Sequence, residues 1–277
     1  MKVVGAKGNP LIGSLITSIT WLISILFFFP VFWITLISFR AEKDAGTFPP
    51  TWVAPFTFDN WASIFHKGAA QYLINSALAS VISVSLVLLF AYPAAYALSI
   101  KPIYRNKDVL SFFLSTKFLP PIAALLPLYL IFKNLHLLDN IWALTLLYVT
   151  MNLPLAVWML RSFLKEIPSE LVEAAELDGA STPKIIFRVL APISLPGIAA
   201  TALISFIFTW NEFLMAINLT GFHAATGPVY LVSFITAEGL FFAHLAAVSI
   251  VVSLPVVIAG WVAQDKLVRG LALGAVK

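Results

Sequence analysis

Charged and amide side chains are rare here, so those inside apolar runs are where chemistry is first sought. Lys117 stands within an apolar stretch just before Pro120-Pro121. An ammonium at the centre of a membrane helix costs about 2.5–3.5 kcal/mol even on lenient scales. It therefore faces a wet cavity or a carboxylate, or it snorkels to a nearby membrane surface. Pro121 withdraws the N–H that the Lys117 carbonyl would otherwise accept, so this turn offers a donor and an acceptor to a hydroxylated solute. Asn152, beside Pro154, could bond between helices or reach a ligand hydroxyl. Trp210-Asn211-Glu212 reads either as an interfacial helix end or as an aromatic, amide and carboxylate set suited to a sugar. Catalysis finds less support. The chain has no GxxxxGK[ST] loop, HExxH or GxSxG, and His66, His136, His223 and His244 are too scattered for a metal pair. No catalytic residue and no metal ligand is assigned.

The elements that hold these groups follow from composition. The 277 residues are 60% hydrophobic and 11% charged, against about 45–50% and 25% in soluble chains. Leu11–Phe39 and Gly68–Ile100 carry no Asp, Glu, Lys or Arg, and each exceeds the roughly 20 residues that cross a bilayer. A chain without cysteine excludes disulfides, thiolate nucleophiles and iron–sulfur clusters. The first apolar run is too long for a signal-peptide core and reads as a retained span. Spans are expected at about 11–38, 73–99, 109–132, 141–163, 193–217 and 242–264. The uncharged run Phe213–Ala237 contains Gly221, Gly227 and Pro228, so it is expected to be loop or re-entrant structure. Pro30, Pro93, Pro120, Pro121, Pro127, Pro154 and Pro255 fall within spans and predict broken helices around a pathway.

Placing both termini in the cytoplasm puts twelve Lys and Arg inside and four (Arg40, Lys43, Lys67, Lys133) outside, a positive-inside bias. The net charge of +4 has the same origin and implies no nucleic acid.

The loop between spans four and five is the most informative segment. Pro168 stops the incoming helix, Ser169 is placed to cap a new one, and Glu170 and Glu173 suit its first turns. Leu171, Val172 and Ala175 are expected to form one apolar face. Gly179 can take the positive φ that ends the helix, and Ser181 is placed to cap a second, with Ile185, Ile186, Val189 and Leu190 apolar. Such an elbow either lies on its own helix ends or docks into a groove on a soluble partner.

Glu173-Ala174-Ala175, Gly179 beyond them and Pro192 resemble the EAA loop of ATP-binding-cassette importer permeases. Asp178-Gly179-Ala180, Leu195-Pro196, Arg161-Ser162-Phe163, Trp210-Asn211-Glu212-Phe213 and the tail extend the likeness to the smaller permease of maltose-type systems. Val189 and Ala191 stand where the pattern usually has Ile and Leu. Ser115-Thr116-Lys117-Phe118-Leu119-Pro120-Pro121 looks most like sorbitol/mannitol polyol permeases within that branch.

The resemblance implies an all-α membrane protein with six transmembrane helices and a cytoplasmic coupling helix between helices 4 and 5. Its parts would be 1–68 (tail, first span, external loop), 69–265 (five-helix core with the EAA loop at about 168–192) and 266–277 (cytoplasmic tail). Glu173, Ala174, Ala175, Asp178 and Gly179 would touch an ATPase subunit, and Gly274, Ala275, Val276 and Lys277 would touch it from a second direction. Lys117, Asn152, Trp210, Asn211 and Glu212 are the solute-pathway candidates. The partners implied are a sibling permease, two ATPases carrying ATP and Mg, and an extracytoplasmic solute-binding protein, in a bacterial cytoplasmic membrane. No cofactor is assigned to this chain. An ion-coupled secondary transporter is the alternative; it would be favoured by inverted repeats or buried acidic pairs, neither of which is apparent. A membrane scaffold without transport is a second.

Overall fold

The computed structural model describes residues 10–66, 68–101, 104–236 and 239–275. Helices α1 (Pro10–Ser38), α2 (Glu42–Ala45), α3 (Asp59–His66), α4 (Ala69–Ser99), α5 (Asn106–Phe118), α6 (Pro121–Asn134) and α7 (Ile141–Leu164) are followed by α8 (Glu170–Leu177) and α9 (Thr182–Ile193). Then come α10 (Leu195–Trp210), α11 (Leu214–Leu219), α12 (Gly227–Val232) and α13 (Phe242–Ala275). A two-stranded antiparallel hairpin, β1 (Ile235–Thr236) and β2 (Gly239–Leu240), is an addition to the all-helical expectation.

Four described helices, α1, α4, α7 and α13, are long and apolar enough to cross a membrane; two bent pairs bring the number to six if each is one span. The bent pairs correct the expected straight spans. The third breaks at Leu119–Pro120, both extended, and restarts with Pro121 as the first helical residue, a 91° turn. Proline suits that position because its missing N–H would be unsatisfied there anyway. The fifth span is preceded by α9, which turns 85° into α10, and it ends at Trp210, short of the expected 217. Most of the other prolines do not break their helices: Pro30, Pro93, Pro127, Pro154 and Pro255 all stay inside continuous ones.

The chain divides into two compact units. One comprises residues 1–67 and 234–251; the other comprises 68–233 and 252–277. In the first, Asn60 donates to the carbonyls of Ser38 (2.9 Å) and Arg40 (2.7 Å). The Glu42 carboxylate accepts from the backbone N–H of Ala243 and His244 and meets His244 Nδ1 at 2.9 Å, so it caps the start of α13.

The second unit is built on α4 against α7. Ser76, Ala79, Ser80, Ser83, Ala91 and Ala95 are all buried on α4; these small side chains let helix backbones approach closely. Val87, Val157, Leu160 and Leu164 fill the space between them. The start of α10 meets the end of α7 at Gly197, where an added Cβ would clash with the ring and Cβ of Phe163. Gly197→Ala should therefore cost about 1–3 kcal/mol, as overpacking does, and lower the thermal midpoint of the detergent-purified protein. An unchanged midpoint would mean that Phe163 swings clear.

Candidate functional site

The loop segment expected to act as an elbow folds as one. Helix α8 ends at Leu177 with Asp178 as its cap, and Gly179, with φ of +72°, takes the left-handed turn that follows. Helix α9 opens at Thr182, passes through a π-helical turn at Ile185–Leu190 and bends at Ser194 into α10. Ser169 and Ser181 occupy the capping positions, but neither side chain makes a cap hydrogen bond. Val172, Ile185, Ile186 and Leu190 are buried against Tyr96, Leu98, Leu160 and Leu164, at the ends of α4 and α7. Leu171 departs from the expected apolar face: it is exposed, as are Glu173, Ala174, Leu177, Asp178 and Gly179, while Ala175 is half-buried. Among the described residues no basic side chain pairs with Glu173. Lys101 pairs with Glu176 instead, at 2.5 Å, and Arg161 donates to the Leu98 carbonyl at 3.0 Å.

The bend itself is pinned. Ser194 Oγ donates to the Leu190 carbonyl (2.9 Å) and lies 2.5 Å from the Tyr92 hydroxyl on α4. Tyr92 lies outside every motif, and Ser194 falls between Pro192 and Leu195-Pro196 without being one of the residues that carry the likeness, so the sequence singles out neither.

Three of the five pathway candidates converge. Lys117, Asn152 and Glu212 line one cavity of about 240 Å³ with Tyr148, Met151 and Phe208. A neighbouring cavity of about 270 Å³ shares Lys117 and Met151 and is walled by Leu119, Pro121 and Pro154. Lys117, one residue before the end of α5 at the break, thus lines both. Its ammonium donates to the Met151 carbonyl, which leaves two of its three donors for other acceptors.

Glu212 is more fully committed. Its carboxylate accepts from Met215 N (2.9 Å), Ala216 N (3.1 Å) and the Tyr148 hydroxyl (3.1 Å), so it caps α11 after the break that follows Trp210. Asn152 donates to the Tyr148 carbonyl (2.9 Å) and to Thr209 Oγ1 (3.2 Å), and Ser83 of α4 meets the same Thr209 at 3.4 Å. Tyr148 and Thr209 went unnoticed in the sequence; the i, i+4 spacing of Tyr148 and Asn152 on one helix face was the available signal.

Trp210 and Asn211 lie elsewhere. Trp210 is buried, and its indole N–H donates to the Val252 carbonyl at 2.8 Å, fixing α10 to α13. Asn211 is exposed and donates to its own helix at the Ile207 carbonyl. Of the tail, Gly274 and Ala275 end α13, while Val276 and Lys277 lie outside the described residues. The cavity holds an ammonium, a carboxylate already bonded three ways, and no nucleophile–base pair.

At the loop ends of the same unit, Asp139 gathers the segment after α11. Its carboxylate accepts from the N–H of Gly221 (2.8 Å), His223 (3.1 Å) and Ala224 (2.8 Å), and meets His223 Nδ1 at 2.9 Å. Burial alone would raise its pKa, but these donors outweigh it and hold the group down at about 2, below the ordinary 3.8. A depressed carboxylate pKa contributes stability above the ordinary value, and that stability is lost as pH falls from about 4 towards 2. Asp139→Asn should therefore cost on the order of 2 kcal/mol at pH 7, read as a lower melting midpoint. The gap from the wild type should narrow when both are melted at pH 3. A constant gap would assign the loss to hydrogen-bond geometry alone.

Residues 88–268 match the model of the family described as binding-protein-dependent transport system inner membrane component. A probable ABC transporter permease protein, y4oR of Sinorhizobium fredii, is 36% identical over 95% of this chain and 95% of its own. The trehalose transport system permease protein SugB of Mycobacterium tuberculosis is 34% identical over 90% of this chain and 92% of its own. In structure, a chain of a bacterial ABC transporter involved in import of the acidic polysaccharide alginate superposes with a TM-score of 0.78 at 21% identity, covering 96% of this chain and 100% of that one. The chain belongs to the family of inner-membrane permease components of binding-protein-dependent ABC transport systems.

Proposed function

We propose that this chain is the permease subunit of an ATP-driven importer that carries a sugar or polyol into the cytoplasm by alternating access. The observation that carries the coupling half of this reading is the elbow. Its buried face is continuous with the cores of α4 and α7, and its outer edge of Glu173, Ala174, Leu177, Asp178 and Gly179 is left exposed. A push on that edge is delivered to α7, which lines the cavity with Tyr148, Met151 and Asn152. The chain carries no phosphate-binding loop, so ATP and Mg belong to two partner ATPases that grip the elbow, with the residues at 274–277 as a second contact. A sibling permease completes the pathway, and an extracytoplasmic binding protein delivers the solute. The charge bias of the loops supports cytoplasmic termini.

The solute class rests on a relative named for trehalose and on the ammonium, amide, phenol and carboxylate that share one cavity. The segment 115–121 favours a polyol within that class.

The test is uptake by proteoliposomes containing the whole complex and the binding protein, with sugars and sugar alcohols offered in turn. Uptake is expected only with internal ATP and unaffected by a protonophore. Accumulation driven by an ion gradient without ATP would replace this reading with an ion-coupled transporter.

A further inference from the structure

We infer that the segment after α1, residues 46–58, folds back into the membrane and contacts lipid, acting as a collar beside the first span rather than as a solvated loop. Its composition is the first reason. Phe48, Trp52, Val53, Phe56 and Phe58 are 98%, 64%, 92%, 70% and 71% exposed. Loops in water do not display five large apolar side chains in so short a run.

Its depth is the second reason. The Trp52 ring lies 5.1 Å from that of Trp33 and 6.4 Å from that of Phe29, both on α1. At about 1.5 Å rise per residue, these partners lie roughly 7 and 13 Å below Ser38, where α1 ends. The apolar stretch Ile12–Ser38 has 27 residues, about 40 Å of helix against a hydrocarbon thickness of about 30 Å. If it is centred, only about 5 Å projects at each end. Trp52 therefore lies at or below the hydrocarbon boundary, beside a helix most of whose apolar surface this chain leaves uncovered.

The third reason is that the fold-back is held by internal bonds. Arg40 is 2% exposed; its guanidinium donates to the carbonyls of Thr51 and Trp52 and sits 5.4 Å over the Trp33 ring. Thr57 N donates to the Phe39 carbonyl at 2.8 Å, while Phe39 packs on Phe58 at 5.4 Å. Backbone carbonyls that enter hydrocarbon must be satisfied by protein, and Arg40 does this for two of them. Tryptophan and phenylalanine at the headgroup level, with an arginine reaching along them, are the residue types that the interface favours.

The absence of cysteine makes the test direct. Val53→Cys and Leu26→Cys, the latter on the exposed middle of α1, are each labelled with an environment-sensitive fluorophore in the assembled complex in liposomes. Each is challenged with nitroxide-bearing lipid and with aqueous iodide. The label at position 53 is expected to be quenched by shallow nitroxide lipid more than that at 26, which answers better to deep nitroxide, and to resist iodide. Arg40→Ala should reverse this, turning lipid quenching into iodide quenching, while Arg40→Lys should retain part of it. Iodide quenching in the unmodified background would overturn the proposal in favour of a solvated loop. Protection from both quenchers would overturn it in favour of a protein neighbour.

Discussion

Replacing Gly179 by proline is expected to lower solute-stimulated ATP hydrolysis by the assembled complex at least about tenfold, while subunits still copurify. The native φ of +72° is out of reach for proline, whose ring holds φ near −65°. Proline would also remove the N–H that Gly179 donates to the Glu176 carbonyl at 3.0 Å, and it disfavours the helical conformation of the residue before it, here Asp178 at the end of α8. The elbow would have to re-form with α8 pointing elsewhere. Its buried face, anchored through Val172 and Ile185, keeps the rest of the core intact, so loss of coupling should not mean loss of folding. A graded series separates backbone shape from side-chain size. The space around Gly179 is open, so Gly179→Ala meets no atom and bears only the left-handed strain of roughly 1–2 kcal/mol. Gly179→Asn, a residue that tolerates this conformation, should keep most of the stimulation. The expected order is Asn, then Ala, then Pro. Full stimulation in the proline variant would remove the elbow from the coupling path.

The legibility of this element in the sequence has a physical basis. Helix ends depend on local chemistry, and Pro168, Gly179 and the spacing between them are local signals; the left-handed turn at Gly179 followed from its lack of a Cβ. The charge-free runs likewise located α1, α4, α7 and α13, because exclusion of charge from hydrocarbon acts residue by residue. Direction was not legible. Hydropathy counts about 109–132 as one span, and nothing in that count distinguishes a proline kink, as at Pro154, from a 91° turn, as at Pro120-Pro121. The difference lies in whether a second proline fixes an extended residue before the restart. The convergence of Lys117, Asn152 and Glu212 depended on that turn and on the unexpected stop at Trp210, so the residues could be nominated from the sequence but not assembled. Trp210 shows the converse: its suitability for stacking on a sugar was read from its type, whereas its burial and its bond to Val252 depend on the packing of α10 against α13.

Lys117→Met is expected to reduce solute uptake about tenfold, chiefly as a rise in the solute concentration needed for half-maximal rate, with complex yield unaltered. Methionine keeps much of the apolar stem and removes every donor, so packing of α5 changes little. The difference falls on the cavity, where the ammonium has donors beyond the one it gives to Met151. Hydrogen bonds to a charged group are worth about 1.5–3 kcal/mol, and a tenfold change in affinity corresponds to about 1.4 kcal/mol, so losing one solute contact accounts for the effect. Glu212 supplies the contrast. Because its carboxylate already serves Met215, Ala216 and Tyr148, Glu212→Ala leaves buried donors unpartnered and should lower thermal stability together with uptake. The two variants therefore separate by readout: Lys117→Met changes the concentration dependence at a constant melting midpoint, and Glu212→Ala lowers the midpoint. If Lys117→Met lowered the midpoint and left the concentration dependence alone, Lys117 would be an anchor of α5 on the Met151 carbonyl, and the solute would have to be held by other groups.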